Sequence, residues 1–553
     1  MLTHKIAYLI GEKNVKPWNI LAITFTNKAA KEMKERVENI VGAYGIRPED
    51  IWMGTFHSIC VRILRKYIDR IGYGKDFVIF DTLDQKSTLK KILKELNIDD
   101  KLFNEKSVMY EISNAKNEII DCDTYTKRAD GNYRLETIAK IYQIYQSRLK
   151  ENNALDFDDI INLTIKIIME NADVLEYYTD KFKYILVDEY QDTNKAQFTL
   201  ISLCAAKHGN ITVVGDNDQG IYSFRGADIK NILNFEKDFP GTTLIKLEQN
   251  YRCTKNILNV ANSVIKNNKN KFPKNLWTDN EQGKCVSICR VDSEYDEGSY
   301  IAEQINLLKR EEYYKYSDFA ILYRMNVQSR AIEDIFVRER IPYKIVGGLR
   351  FYERKEIKDI IAYLRLIQNT SDNLSLGRII NEPKRGIGDT SVETIEKTAA
   401  QNGISMFEVL KRIDEFGLTR IKEQSQKFVQ TIEELRVGVG VPDDPNKCPI
   451  SELIKNTLEK TGYMQALKNE NSAQAENRIE NLSEFLTVAN EFEEESAENS
   501  LEKFLENITL SSDIDNLEEK QDAVTLMTLH SAKGLEFPAV FLVRNGRRNF
   551  SRI

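Results

Sequence analysis

The sequence predicts an α/β protein in which parallel sheets are interrupted by long helical segments. Two observations carry that expectation. Short apolar, β-branched runs at Ile20–Phe25, at Tyr184–Val187 and from Ile211 onward read as buried strands of parallel sheets. Two other stretches, 81–174 and 359–520, hold strong helix periodicity and little strand signal, as in Leu89, Ile92, Leu93 and Leu96.

Length and composition bound the answer. At about 150 residues per domain, 553 residues suggest three or four domains. The 42% hydrophobic and 29% charged composition is that of a soluble globular chain. No run of about 18 apolar residues is present, so no membrane span is expected. The N-terminus lacks the apolar centre and cleavage site of a signal peptide. Seven cysteines without CxxC spacing and only four histidines argue against a disulfide or zinc framework, and a cytoplasmic setting is expected. The net charge of −7 counts against a polyanion partner. Electrostatics act locally, however, so a basic groove on an acidic protein is not excluded. Much of the negative charge lies at Glu491–Glu495 and around Asp513–Glu519.

Taken in order, Met1–Ile10 reads as a helix with Leu2, Ile6, Leu9 and Ile10 on one face. Ile20–Phe25 follows as a strand, and Thr26 or Asn27 can cap the helix carrying Ala29, Ala30, Met33 and Val37. Hydroxyl and amide groups at such a turn suit phosphate contacts, although any strand-to-helix turn favours Thr and Asn. A second unit ends in Gly54, Thr55, Phe56, His57 and Ser58, where His57 also suits a core or capping role.

The stretch YILVDEYQDT, Tyr184–Thr193, organises the rest. Its apolar run stops at two adjacent carboxylates, Asp188 and Glu189. Ligands of open α/β sheets sit beyond the carboxyl ends of the strands. A metal–nucleotide site needs one carboxylate for Mg²⁺ and one to orient or deprotonate the attacking water. By itself the pattern also fits a strand that ends at a solvent-facing turn. The next run, ITVVGDNDQGIYSFRGAD, joins an amide, Gln219, to Tyr222, Phe224 and Arg225. An amide can hydrogen-bond a terminal phosphate and its attacking water, and rings can stack on unpaired bases. LEQNYRCTKNIL then sets Tyr251 and Arg252 at a helix start, where an arginine either reaches a phosphoryl group or pairs with a surface acid.

The set TFTNKAA, GTFHS, VDEYQDT, VGDNDQGIYSFRGA and QNYR resembles the UvrD/Rep/PcrA group of superfamily 1A DNA helicases. AILYRMN, PYKIVGGLRFYERKEIKD, PKRGIGDTS and VTLMTLHSAKGLEFPAVFLV extend the likeness over nearly the whole chain. The resemblance implies two RecA-like parallel-sheet motor domains, each with a largely helical insertion, moving 3′→5′ on single-stranded DNA with ATP and Mg²⁺. It implies that Asp188 holds Mg²⁺, Glu189 activates water, Gln219 senses the γ-phosphate and Arg252 is an arginine finger. Tyr251 would stack on adenine, with Gly534 and Glu536 also at the nucleotide. Phe25, Thr26, Asn27, Thr55, His57, Tyr222, Phe224, Arg225 and His530 would meet the DNA strand. Arg385, Gly386 and Gly388 would belong to a loop gripping duplex DNA through its backbone. Partners would be single-stranded DNA, single/double-strand junctions and proteins of repair or replication. The oligomeric state stays open.

By pattern, 1–80 with 175–245 form the first motor domain and 81–174 its insertion. Residues 246–358 with 521–553 form the second, and 359–520 its insertion, with a mobile break expected at 438–449. The family's phosphate loop, GxxxxGK[ST], occurs nowhere in the sequence, and the RNGRRNFSRI tail departs from the family pattern. Impaired ATP turnover is therefore expected, together with an opened centre of the first sheet. The alternative from the binding class is an ATP-dead fragment that holds single-stranded DNA or a partner.

Overall fold

Residues 1–42, 50–99, 102–268, 274–346, 352, 354–437, 448–470, 472–495, 499–510 and 522–543 are described by a computed structural model. The expected break at 438–449 lies almost wholly outside these residues. The acidic run at 513–519 and the arginine-bearing tail at 544–553 lie wholly outside them.

The strands, in chain order, are β1 (Ile20–Thr24), β2 (Trp52–Thr55), β3 (Val78–Ile79), β4 (Ala154–Leu155) and β5 (Tyr184–Val187). Then come β6 (Ile211–Val213), β7 (Phe319–Tyr323), β8 (Tyr343–Ile345), β9 (Val524–Thr528) and β10 (Ala539–Leu542). The first sheet has the order β2-β1-β5-β6 and the second β10-β7-β9-β8, with β3 and β4 forming a separate pair. Every strand pairing in both four-stranded sheets is parallel. The loops at the carboxyl ends of each sheet therefore gather on one side.

Strand alternation sets the two faces of the first sheet. Ile20, Ala22 and Leu186 pack with Leu2, Ile6, Leu9 and Ile10 of the helix Leu2–Gly11. Leu21, Ile23, Ile185 and Val187 face the opposite core, which includes Phe56, Ile160 and Tyr178. The expected opening at the centre of this sheet is not found. β1 pairs β5 directly, from Ile20 opposite Tyr184 to Ile23 opposite Val187. The Ile211 run, expected to be buried, is instead only half-buried. Among the described strands it has one neighbour, β5, so its outer side lacks a covering strand.

The helical stretches build separate cores. One unites Leu89, Ile92, Val108, Ile138 and Leu149 with Val78 and Ala154. The other runs from Ile357 to Ile508 over the helices that begin at Lys355. These two helical units meet across a cleft of about 1430 Å³, lined in part by Asp81, Asp84, Lys358 and Arg365. Ion pairs span it: Lys358 to Asp81 at 2.7 Å and Arg365 to Asp84 at 2.6 Å.

Candidate nucleotide cleft and nucleic-acid interface

β5 ends at the acid pair. The backbone turns sharply there because Glu189 adopts a left-handed conformation, φ 50° and ψ 38°. Asp188 Oδ1 accepts from the Glu189 N–H at 3.0 Å. Burial, and then the neighbouring Glu189 charge, raise the Asp188 carboxyl above its ordinary pKa. Asp188 makes no ion pair among the described residues. Gln191 binds both neighbouring loops with one amide: its Nε2 donates to Glu189 Oε2 at 2.6 Å, and its Oε1 accepts from Asp216 N at 2.9 Å.

Gln219 lies in the short helical turn Asn217–Gln219 after β6, and its Nε2 donates to Asp216 Oδ2 at 2.9 Å. Asp216 also pairs with Lys274, which reaches Asp218 at 3.0 Å. Against its burial, Lys274 together with hydrogen bonds from the Asp218 N–H and Gln219 holds the Asp216 carboxyl below its ordinary range. Tyr251 and Arg252 fall just ahead of the helix Lys255–Ile265 rather than within it. Tyr251 is 78% exposed, and its hydroxyl donates to Gln249 Oε1 at 2.7 Å. Arg252 is ion-paired with Glu536, so two residues expected at one nucleotide do meet. Gly534, two residues before Glu536, has φ +84° and open space around it.

One residue that joins the two sheets was not singled out from the sequence. Lys533, whose side chain is 9% exposed, pairs with Asp192 and approaches Glu189 Oε2 at 3.6 Å. It also donates to the Gln219 carbonyl at 2.8 Å and lies 5.1 Å from the centre of the Tyr222 ring. A lysine inside HSAKGLE was the available signal, but only the fold brings it to the acids.

Rings from both sheets' loops converge beside it. Phe224 and His530 meet edge to face at 5.0 Å, and Tyr222 lies 6.2 Å from Phe224. The Tyr222 hydroxyl donates to the His530 carbonyl at 3.0 Å. Arg225 sits 5.6 Å from the Phe224 ring, which is 48% exposed. Arg324 lies 3.2 Å from His530 Nδ1; an arginine has no acceptor, so that nitrogen accepts and is unprotonated. Burial, with Arg324 and Arg225 nearby, lowers the His530 pKa.

The remaining predicted contacts lie along the first sheet. Thr26 caps the helix Asn27–Val41 by accepting from Ala29 N, and Thr55 caps Phe56–Tyr67 by accepting from Ser58 N. Phe25 is part-buried against Phe56 at 5.6 Å. His57 packs edge-on to Phe157 at 5.5 Å, and burial pushes its pKa down to about 4. Arg385 lies apart, in the second helical unit, and its guanidinium points inward. It donates to the Ile379 carbonyl at 2.9 Å and to the Tyr363 hydroxyl at 2.6 Å, and packs 5.3 Å from Phe428. Gly386 and Gly388 are exposed with open space around them, so only backbone is presented there.

The fold and this cleft define an α/β protein of two parallel sheets whose carboxyl-end loops meet around acids, amides and rings. The chain belongs to the UvrD-like helicase family. Residues 1–240 match the UvrD/REP helicase N-terminal domain and residues 245–551 the UvrD-like helicase C-terminal domain. It is 51% identical over 550 residues to the ATP-dependent DNA helicase PcrA of Bacillus subtilis (strain 168), covering 98% of this chain and 73% of that protein. It is 50% identical over 546 residues to the protein of the same name from Staphylococcus epidermidis (strain ATCC 12228 / FDA PCI 1200), with 98% and 73% covered. Among the described residues no helix is long and apolar enough to cross a membrane.

Proposed function

We propose that the chain is an ATP-dependent DNA helicase of the PcrA type, tracking 3′→5′ on single-stranded DNA and acting at single/double-strand junctions. The observation that carries this reading is Lys533, which touches the Asp192 acid, the Gln219 carbonyl and the Tyr222 ring at once. One side chain thereby links a phosphate-chemistry site to a base-stacking site, as coupling of hydrolysis to movement requires.

The donor set fits a divalent cation and a nucleotide. Asp188 is a part-buried carboxyl raised by burial and by a second acid, the environment a cation relieves. In this reading Asp188 would hold Mg²⁺, and Glu189 would orient the attacking water. Bound Mg²⁺ would supply charge neutralisation on the phosphates. Gln219 donates toward the terminal phosphate, Tyr251 offers its exposed ring to the adenine, and Glu536 and Gly534 border the nucleotide. Arg252 exchanges Glu536 for phosphate, which costs little because an exposed ion pair is worth about 0–1 kcal/mol. Tyr222, Phe224 and His530 stack on bases, with Arg225 and the turns at Phe25–Asn27 and Thr55–His57 on the strand. Gly386 and Gly388 offer their backbone to duplex DNA, while Arg385 shapes their loop.

The GxxxxGK[ST] cradle for the β- and γ-phosphates does not occur within the 553 residues. The second reading is a protein that holds single-stranded DNA without hydrolysis. Both are tested on the purified polypeptide. DNA-stimulated ATP hydrolysis that disappears in Glu189→Gln supports the motor and overturns the expected impairment. Salt-sensitive binding of oligodeoxythymidine without hydrolysis supports the binding reading. No DNA affinity at low salt overturns both.

A further inference from the structure

We propose that Asn117 is a positioning residue that keeps the turn at Gly226 in register with the segment Asp188–Asn194, so that DNA seated on the rings is felt at the acid pair. The inference rests on the reading of Tyr222, Phe224 and Arg225 as a single-strand site.

Asn117 closes the helix Glu105–Asn117, in a helical unit whose core is separate from that of the first sheet. The residue before it is held fast. Lys116, with its side chain 2% exposed, pairs with Asp156 at 2.6 Å and Asp159 at 2.7 Å. Tyr145 donates to Asp156 at 3.0 Å, Gln146 donates to Asp159 at 3.1 Å, and Asn162 donates to the Lys116 carbonyl at 2.8 Å. Lys116 cannot shift without stranding buried charge, so Asn117 stands on a fixed base.

From that base Asn117 touches both functional segments. Its Oδ1 accepts a hydrogen bond from Asn194 Nδ2, directly after YILVDEYQDT. On its other side runs Gly226, at φ +83°, where an added Cβ would lie 2.9 Å from Asn117 Nδ2. Gly226 follows Phe224 and Arg225 in the chain, so its turn aims the ring segment. The two segments also bind one another: Asp228 N donates to the Thr193 carbonyl at 3.0 Å, and Asn231 Nδ2 to the same oxygen at 2.9 Å. Those bonds join the segments, whereas Asn117 binds the first and abuts the turn of the second from an outside support. A push on the ring loop is therefore passed to residues 188–194 rather than lost as movement of the pair together.

The test is hydrogen exchange of residues 188–194 in the full 553-residue polypeptide, with and without a fluorescent oligodeoxythymidine whose affinity is read in parallel. In the unaltered protein the oligonucleotide is expected to slow exchange there about fivefold or more. Asn117→Ala is expected to bind it within about threefold of the unaltered affinity yet lose that slowing. Asn162→Ala, which weakens the same helix end without touching Asn194 or Gly226, is expected to keep it. Full slowing in Asn117→Ala, or equal loss in Asn162→Ala, overturns the inference. Binding by the unaltered protein without slowing at 188–194 overturns it while leaving the single-strand reading intact. Absence of any binding removes that reading and the inference together.

Discussion

Lys533, on the loop after β9, is ion-paired with Asp192, on the loop after β5, so a cation from one sheet sits among the acids of the other. Both side chains are nearly buried, at 9% and 2% exposure. Lys533→Met should leave a desolvated carboxylate without its cation and cost about 3 kcal/mol. Asp192→Asn should cost less, and the double variant should recover part of the loss. Burial already raises the Asp192 carboxyl against the opposing pull of Lys533. A raised pKa means stability present at low pH and lost as pH rises through the folded value, so the Lys533→Met deficit should shrink on acidification. Urea unfolding of the four proteins at two pH values checks this, and strictly additive losses would contradict it.

Phe224→Ala and Tyr222→Ala should each weaken oligodeoxythymidine binding by about 1–3 kcal/mol, the worth of one stacked base. Phe224→Trp should keep or tighten it, because a larger face stacks at the same exposed position. Tyr222→Phe removes only the bond to the His530 carbonyl and should fall between the unaltered protein and the alanine variant. Fluorescence anisotropy at fixed salt measures the series. Equal affinity across it would exclude the rings from the DNA site.

Arg385 and its two glycines should separate by readout. Arg385→Ala abandons several carbonyl contacts and the Phe428 face, at a cost of about 2–4 kcal/mol seen as a lower Tm. Gly386→Ala should cost about 1 kcal/mol, because its φ of +77° suits glycine. Gly388→Ala should lower Tm only slightly: nothing lies within 4 Å of an added Cβ, but Gly388 is the N-cap of the helix Asp389–Asn402, where alanine is less favourable. A loss of duplex affinity confined to the glycine variants would fit a loop that grips through its backbone.

Mild acidification should not tighten DNA binding. His57 is pushed down to about 4, so its ring stays neutral from pH 8 to 6, and burial with Arg324 and Arg225 nearby lowers His530 as well. For stability the sign is the reverse of Asp192. A depressed pKa contributes stability that is present above the ordinary value of 6.5 and lost as pH falls toward about 4. His57→Phe should therefore flatten the stability profile between pH 7 and 5 by about 1–2 kcal/mol relative to the unaltered protein. Oligodeoxythymidine affinity that rises severalfold at pH 6 and loses that rise in His530→Gln would refute the neutral assignment.

Local patterns were readable where each residue's surroundings come from its own segment. Leu2, Ile6, Leu9 and Ile10 form one buried helix face, Thr26 caps its helix, and Tyr184–Val187 is an inner strand of the first sheet. Relations between distant segments were not readable. Strand order decided that β1 and β5 are neighbours and that β6 is an edge among the described strands, and no run of residues carries its own position in a sheet. The helix Phe157–Glu170 shows the same limit, for periodicity gives the helix but not that Ile160 and Ile165 join the core of the first sheet. Lys533 and Arg385 are alike in sequence, polar residues inside good motifs. Only tertiary contacts show that one bridges the two sheets and the other is sunk among carbonyls.

The left-handed turn at Glu189 has a consequence for anyone who alters it. A side chain with a Cβ is held there at φ 50°, where glycine or asparagine would rest more easily. Replacement by either should therefore yield a sturdier polypeptide with poorer chemistry, whereas glutamine keeps the backbone tension and removes only the charge. Selection for thermal robustness alone would tend to erode this position.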